Sequence, residues 1–215
     1  MSAGTDLAKL TPPLLDRTLR RPRVEACIAS ALAEGGCCWL AAPAGYGKTT
    51  AAVDFIRDQA TPAVWCRIDE GDQDIASFLH YLTLLVPASR RAGQATFGPE
   101  HAEHPQAFAR RFFRGWFAAL PAGAVVVLDD LHDADTPTFH VLLKLLLEER
   151  PGSVRCMFLS RTFPPRELDR LRLAGQVRLL DQDVLQFTEA EARALMDERR
   201  PDGGGKLPVD LARAP

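Results

Sequence analysis

The sequence predicts a three-layer α/β fold in which a parallel sheet carries helices on both faces. Short apolar runs alternate along the chain with segments of helical periodicity. One of these runs, 124–128, is apolar throughout, which is typical of strands buried on both faces. The 215 residues, 47% hydrophobic and 25% charged, suit one globular domain of moderate size. Parallel strands joined through helices imply right-handed crossovers.

The elements are predicted in alternation after an extended, proline- and arginine-rich lead-in at 1–23. Strands are predicted at 37–42, 62–68, 124–128, 154–159 and 177–180. Helices are predicted at 24–34, 48–59, 75–86, 105–120, 137–149, 165–174 and 188–200. Residues 87–104 carry turn formers and are predicted as a loop. Thr188 and Glu191 have the spacing of a capping box, which favours a helix starting there.

The composition excludes several classes of protein. A net charge of −2 provides no general attraction to nucleic acid or to an anionic membrane. No apolar run approaches the roughly 20 residues that a bilayer crossing needs, and the first residues lack the pattern of a secretion signal. Five cysteines form no C-x-x-C pair, which favours reduced core side chains. We therefore expect a cytoplasmic protein that binds neither membrane nor nucleic acid directly.

Residues 42–50 have the pattern of a phosphate-binding loop. An apolar run precedes them and a helical pattern follows, which is the strand–loop–helix context that this motif requires. Gly45 and Gly47 can adopt backbone angles that let successive N–H groups surround an anion, and the helix N-terminus adds further donors. The first glycine of G-x-x-x-x-G-K-[ST] is replaced by Ala42, a mild change because the later part of the loop surrounds the phosphates.

Each polar side chain of the loop has an expected role. Lys48 is expected to neutralise the β- and γ-phosphates, Thr49 to offer its hydroxyl to Mg²⁺, and Thr50 to contact the α-phosphate. The full set of expected nucleotide contacts in the loop is Ala44, Gly45, Tyr46, Gly47, Lys48, Thr49 and Thr50. The cofactors expected from this pattern are ATP or ADP with Mg²⁺.

A carboxylate for magnesium follows the apolar run 125–128. Asp129 is expected to bind Mg²⁺ directly or through water, and Asp130 to polarise an attacking water. Strands often end in aspartate, so this pattern alone is weak. About 80 residues after a phosphate loop, with another strand between, it is a strong indication of an ATPase.

The intervening strand indicates the ATPase subclass with strand order 5-1-4-3-2. Strand four then lies between the loop strand and the magnesium strand, and its end, at Ser160 and Arg161, projects towards the γ-phosphate. Arg161 is expected to stabilise charge there or to report whether the phosphate is present. The candidate catalytic residues are thus Lys48, Asp130 and Arg161, and the candidate magnesium ligands are Thr49 and Asp129.

Several segments together resemble the ATPase module of the signal-transduction NTPases with numerous domains, in particular the large ATP-binding LuxR-type transcription regulators. The segments are 9–13, 21–24, 43–50, 65–72, 128–132, 159–165 and 185–192. The resemblance covers about residues 8–200 and implies that Arg21 and Arg23 lie near the adenine pocket. It divides the chain into a lead-in at 1–23, an ATPase core at 24–182 and the start of a truncated helical subdomain at 183–215.

The chain also departs from that family. Members continue into helical, winged-helix and sensor regions and a C-terminal DNA-binding domain, and none of these is expected within the 215 residues. In the family, a G-x-P motif follows the last helix. The only candidate for this motif here is 206–208, where lysine stands in place of glycine.

Three functions remain open from the sequence. The first is a switch module that binds Mg·ATP, hydrolyses it slowly as a weak ATPase, and engages a protein partner or a second copy of itself in the ATP state. The second is a nucleotide-binding interaction module without turnover. The third is a small-molecule kinase or metabolic NTPase, which needs an acceptor pocket, with 87–104 as the candidate segment.

Overall fold

A five-stranded parallel sheet forms the centre of the computed structural model, which describes residues 8–15 and 18–198. The strands are β1 (Cys37–Ala41), β2 (Ala63–Arg67), β3 (Val125–Asp129), β4 (Arg155–Ser160) and β5 (Val177–Leu180). Their order across the sheet is β2-β3-β4-β1-β5, and every neighbouring pair is parallel. This is the predicted order 5-1-4-3-2 viewed from the other edge, so the predicted fold class is confirmed.

Nine α-helices lie within the described residues. They are α1 (Pro22–Gly35), α2 (Lys48–Gln59), α3 (Ile75–Leu85), α4 (Ala88–Arg91), α5 (Pro105–Ala119), α6 (Pro137–Glu148), α7 (Asp169–Leu173), α8 (Gln182–Leu185) and α9 (Glu189–Glu198). The predicted helix end at 199–200 and the motif at 206–208 lie outside the described residues, as do residues 1–7 and 16–17 of the lead-in.

The structure differs from the sequence-based elements in a few places. The lead-in is not extended throughout, because Ala8–Leu10 forms a 3-10 turn. The predicted loop 87–104 contains α4, where the Arg91 guanidinium donates hydrogen bonds to the carbonyls of Leu84 (2.6 Å) and Val86 (2.9 Å). Helix α8 was also missed; it is a single turn capped by Asp181, too short to show periodicity.

The sheet separates two hydrophobic cores, because side chains alternate between its faces. Cys37 and Trp39 of β1 pack on the side of α3, α5 and α6, whereas Cys38 and Leu40 pack on the side of α1 and α2. The side chains of 125–128 in β3 alternate in the same way between the two cores, which explains why this part of the strand is apolar throughout.

The cysteines behave as the sequence indicates. Cys37 and Cys38 point to opposite faces, and all five thiols are free. Burial raises the pKa of Cys66 and of Cys156 to about 12, so these thiols stay protonated and act as small apolar side chains.

Because the strands are parallel, all their carboxyl ends lie at the same end of the sheet, and this is where ligands bind in open α/β folds. That end carries the loop after β1 and the last residues of β3 and β4, Asp129 and Ser160. None of the helices in the described part of the chain has the length and apolarity that a bilayer crossing needs.

Candidate nucleotide-binding site

The phosphate loop connects β1 to α2 in the predicted conformation. Gly45 and Gly47 have φ angles of 85° and 78°, in the left-handed region that other residues enter only under strain. Gly47 is the N-cap residue of α2, so the loop leads directly into free N–H groups of the helix. Ala44 and Gly45 are exposed, and Tyr46 packs partly against the core under α1 and α2. The loop therefore has an anion-binding backbone.

Lys48 lies folded back over this loop. Its side chain is only 8% exposed, and its Nζ donates to the carbonyls of Ala42 (2.6 Å) and Pro43 (3.1 Å). Burial lowers the pKa of Lys48, while the carboxylate of Asp129 acts in the opposite direction. The Lys48 ammonium is thus bound at the loop by two neutral carbonyls. A phosphate can displace them, because its charge-assisted hydrogen bond with Lys48 is stronger.

Thr49 and Asp129 are in direct contact. Thr49 Oγ1 donates to Asp129 Oδ2 at 3.0 Å, and Oδ1 lies 3.3 Å away. Asp129 is 3% exposed, and burial, with the neighbouring charge of Asp130, raises its pKa to about 6. A hydroxyl and a buried carboxylate of raised pKa beside a phosphate loop suit Mg²⁺, which takes oxygen ligands and few protein groups. These two residues would hold the ion, whose charge would favour the ionised carboxylate.

Asp130 has an unusual backbone and an unpredicted partner. Its φ of 57° and ψ of 35° are left-handed, a conformation that aspartate adopts more readily than most residues other than glycine. Its Oδ2 accepts a hydrogen bond from Arg67 Nε at 3.1 Å. Arg67 ends β2, so this ion pair links the carboxylate to the neighbouring strand. The charge of Asp130 also acts to raise the pKa of Lys48, so the carboxylate lies within electrostatic reach of the phosphate loop.

Ser160 and Arg161 follow β4 between the loop strand and the magnesium strand. Ser160 is buried and accepts a hydrogen bond from the Thr162 N–H at 3.1 Å, which fixes the turn after the strand. Arg161 is exposed, and its positive charge lowers the pKa of Lys48. The cation is therefore near the phosphate loop, where the sequence placed it; a role as a γ-phosphate sensor stays a prediction.

A cavity of about 480 Å³ opens beside the loop, a size that suits a small ligand. The phosphate loop contributes Gly45 and Gly47 to its wall, and α2 contributes Thr50. α2 also contributes Ala51 and Asp54. The other walls come from the lead-in, from α1 and from the segment after β5, with Leu14, Leu15, Thr18, Leu19, Arg21, Val24, Glu25, Phe187 and Leu195. The chain thus places a partly apolar pocket next to the proposed phosphate site.

Arg21 lines this pocket and connects two of its walls by hydrogen bonds. It is 7% exposed, and its Nη2 donates to the carbonyls of Leu185 (2.6 Å) and Gln186 (3.0 Å). Its guanidinium lies 4.2 Å from the centre of the Phe187 ring. Its Nε has no hydrogen-bond partner within the described residues. Arg21 therefore connects the start of α1 to the segment that follows α8.

Arg23 holds the same segment from the surface. It donates to the carbonyls of Val184 (2.8 Å) and Gln186 (2.9 Å). Unlike Arg21, it is not among the residues that line the cavity. Nucleotide contact by Arg21 and Arg23 stays a prediction, and the contacts described assign both residues a structural role at the pocket.

Sequence reasoning missed two parts of this site. Arg67 is in register with Asp129 on the neighbouring strand, so the predicted strand order contained the signal. The apolar lead-in residues that line the pocket, such as Leu15, follow no periodicity that predicts their position.

The sheet order and the loop together define a P-loop ATPase fold. In agreement, the structure is similar to a Walker-type ATPase of Pyrococcus abyssi, with a TM-score of 0.53 and 11% identity over 84% of this chain and 57% of that one. At this identity the likeness concerns the fold alone.

The sequence is similar to transcription regulators. It is 29% identical over 204 residues to the HTH-type transcriptional regulator MalT of Cronobacter sakazakii, and 28% identical over 219 residues to MalT of Vibrio cholerae. These alignments cover 89% and 96% of this chain but 22% and 23% of the relatives, so the chain spans about a fifth of their length. No family model matches the chain. The resemblance to LuxR-type regulators with a STAND-class ATPase module is thereby confirmed.

Proposed function

We propose that the chain is the ATP-binding switch module of a LuxR-type transcription regulator. The observation that carries this proposal is the contact of Thr49 with Asp129 beside a glycine loop of anion-binding conformation. Phosphates would lie on the loop N–H groups and Lys48, Mg²⁺ on Thr49 and Asp129, and the base in the adjoining cavity. The similarity to MalT regulators over most of the chain supports a regulatory rather than a metabolic role.

The pocket suggests how nucleotide state is passed on. Phe187 and Leu195, which line the cavity, belong to the segment that leaves the sheet after β5. Arg21 holds that segment through two backbone carbonyls and lies 3.4 Å from Glu191 of α9. A nucleotide in the pocket would therefore contact the segment directly and bias its position, as a switch requires. We propose that the ATPase core, residues 24–182, does not itself contact DNA.

Slow hydrolysis is part of the proposal, with Asp130 as the group that polarises the attacking water and Arg161 as the cation at the γ-phosphate. The ion pair between Asp130 and Arg67 favours a second candidate, a module that binds nucleotide without turnover, because a carboxylate already paired with a cation is a weaker base for an attacking water.

The third sequence-based candidate, a kinase, gains no support from 87–104. The two arginines of that segment, Arg90 and Arg91, donate to backbone carbonyls of neighbouring helices, and Phe97 packs against the core. The arginines and Phe97 thus make contacts within the fold, and none of the three is free to bind an acceptor substrate.

Measuring ADP release by the purified protein separates the first two candidates. The switch with turnover predicts slow, magnesium-dependent ADP release that Asp130→Asn abolishes while nucleotide affinity is retained. Equal ADP release by the wild type and Asp130→Asn, at the level of a Lys48→Ala blank, would favour the module without turnover.

A further inference from the structure

An ion pair near the start of the lead-in binds it to the β2 edge of the sheet, which is the edge farthest from the pocket. Lys9 Nζ lies 2.7 Å from Asp69 Oδ2 and 2.6 Å from Asp72 Oδ2, and 4.2 Å from the centre of the Tyr81 ring. Both carboxylates follow β2, the edge strand opposite β5. We call Lys9, Asp69 and Asp72 the β2 anchor.

Asp72 makes this anchor more than a surface ion pair. Its side chain is 0% exposed, and its Oδ2 also accepts the N–H of Asp69 at 2.9 Å. Its Oδ1 has no hydrogen-bond partner within the described residues, so Lys9 is the cation that compensates its buried charge. Removing one member of a buried pair leaves an uncompensated charge, and such pairs are therefore hard to break.

The lead-in runs from this anchor to the pocket. Leu10 packs against the core under α3, α5 and α6, whereas Leu15 packs against the core under α1 and α2. Leu10 and Leu15 therefore lie on opposite faces of the sheet, and the turn Ala8–Leu10 contacts β2. Beyond it, Thr18 Oγ1 donates to Asp54 Oδ1 at 2.9 Å, and Arg21 fastens the far end.

Between its two fastened ends, the lead-in forms one wall of the pocket. That wall consists of Leu14, Leu15, Thr18 and Leu19 and faces the phosphate loop and α2. Leu14 is almost fully exposed, so the core does not hold this part of the wall in place. Its position depends on the contacts of Leu15 and Thr18 beside it and on the two ends of the segment.

We propose that the β2 anchor positions the lead-in as a preformed wall for the nucleotide, so that Lys9, Asp69 and Asp72 act as positioning residues for a ligand they do not touch. This inference rests on the proposed nucleotide site. A wall fixed at both ends loses little conformational entropy when a ligand binds, whereas a wall free at one end must be ordered at the expense of affinity. The anchor therefore slows ligand release.

Thermodynamic linkage gives the proposal a second readout. If the anchor strengthens nucleotide binding, then nucleotide strengthens the anchor by the same factor. Bound ADP is expected to slow amide hydrogen exchange around Leu10 and in the turn Glu70–Gln73, at the opposite edge of the sheet from β5. A purely structural ion pair would not respond in this way.

Dissociation of a fluorescent ADP analogue, in the presence of Mg²⁺ and followed by stopped flow, tests the proposal. We expect Lys9→Met to release the nucleotide roughly 5- to 50-fold faster than the wild type, within the usual range of coupling between sites. Asp69→Asn changes a largely exposed carboxylate, so it removes one contact of Lys9 and leaves the core intact. It should increase the rate of nucleotide release by a smaller factor. It also serves if Lys9→Met fails to fold.

Lys144→Met is the matched control, because the one ion pair that Lys144 forms within the described residues is a partly exposed contact with Glu148 on α6. Its release rate should equal that of the wild type. Folded Lys9→Met and Asp69→Asn with wild-type release rates, and no ADP-dependent protection of Glu70–Gln73, would overturn the anchor while leaving the nucleotide site intact. A wild-type protein that does not bind the analogue would instead overturn the proposed function, and the anchor with it.

Discussion

Thr49 Oγ1 donates a hydrogen bond of 3.0 Å to the carboxylate of Asp129. Thr49 is the second residue of α2, and Asp129 is the last residue of β3, 80 residues further along the chain. β1, the strand that precedes α2, is not adjacent to β3, because β4 lies between them. The contact thus assembles the two halves of the proposed magnesium site across three strands.

The first prediction concerns magnesium and pH. Because the pKa of Asp129 is about 6, protons compete with Mg²⁺ for this carboxylate below that pH. Apparent Mg²⁺ affinity, measured through nucleotide binding, should be nearly constant from pH 7 to 8 and fall by up to about tenfold per pH unit below 6. Asp129→Asn should lose the magnesium dependence. A wild-type affinity that is equal at pH 5 and pH 7.5 would contradict this assignment.

The second prediction is that Asp129 lowers stability when no metal is bound. Its pKa is raised on folding, so the folded protein binds a proton that the unfolded chain releases between pH 3.8 and about 6. The free energy of unfolding therefore decreases through that window, by at most roughly 3 kcal/mol. Asp129→Asn should raise the thermal midpoint in EDTA at pH 7.5 and change it little near pH 4. A lower midpoint at pH 7.5 would show that the charged form is stabilised instead.

The third prediction contrasts two glycines. Gly47 has a φ of 78° at the N-terminus of α2, so Gly47→Ala should destabilise the fold by about 1 kcal/mol through strain and weaken nucleotide binding. Gly115 is exposed within α5, and a methyl group there meets nothing within 4 Å. Gly115→Ala should stabilise by about 0.5–1 kcal/mol. Urea unfolding of both variants measures the difference, and destabilisation of equal size would refute the strain argument.

The fourth prediction concerns Arg21 and Arg23. Arg21→Leu leaves the Leu185 carbonyl without its buried donor, while the Gln186 carbonyl keeps Arg23, and should cost about 2–4 kcal/mol. Arg23→Leu, at a more exposed arginine, should cost less than about 1 kcal/mol. Denaturant unfolding gives both values. If the two variants lost the same stability, Arg21 would not be the main tie between α1 and the segment after α8.

The sequence predicted the parts of the site that rest on local patterns. The phosphate loop was predictable because a strand, two glycines and a helix adjoin in the chain, and Asp129 because an apolar strand ends there. The sheet order then placed Arg161 near the loop. The left-handed conformation of Asp130 and its pair with Arg67 depend on two strands 63 residues apart, which no local pattern specifies.

The lead-in was the least predictable segment. Composition suggested an extended segment, and the family resemblance implied a place near the adenine pocket. Leu15 lines the cavity beside the phosphate loop. Its attachment at Lys9 depends on a buried carboxylate, Asp72, whose burial no local pattern in the sequence predicts. A single charged pair over such a sequence distance carries no periodicity, and only its burial shows its importance.

Isothermal titration of the wild type and of Lys48→Ala with Mg·ATP tests the central claim most directly. We expect one nucleotide per chain in the wild type and an affinity weaker by roughly a hundredfold in Lys48→Ala, the loss of one charge-assisted contact, with thermal stability retained. Equal affinities, or no binding by the wild type, would contradict a nucleotide site at this loop.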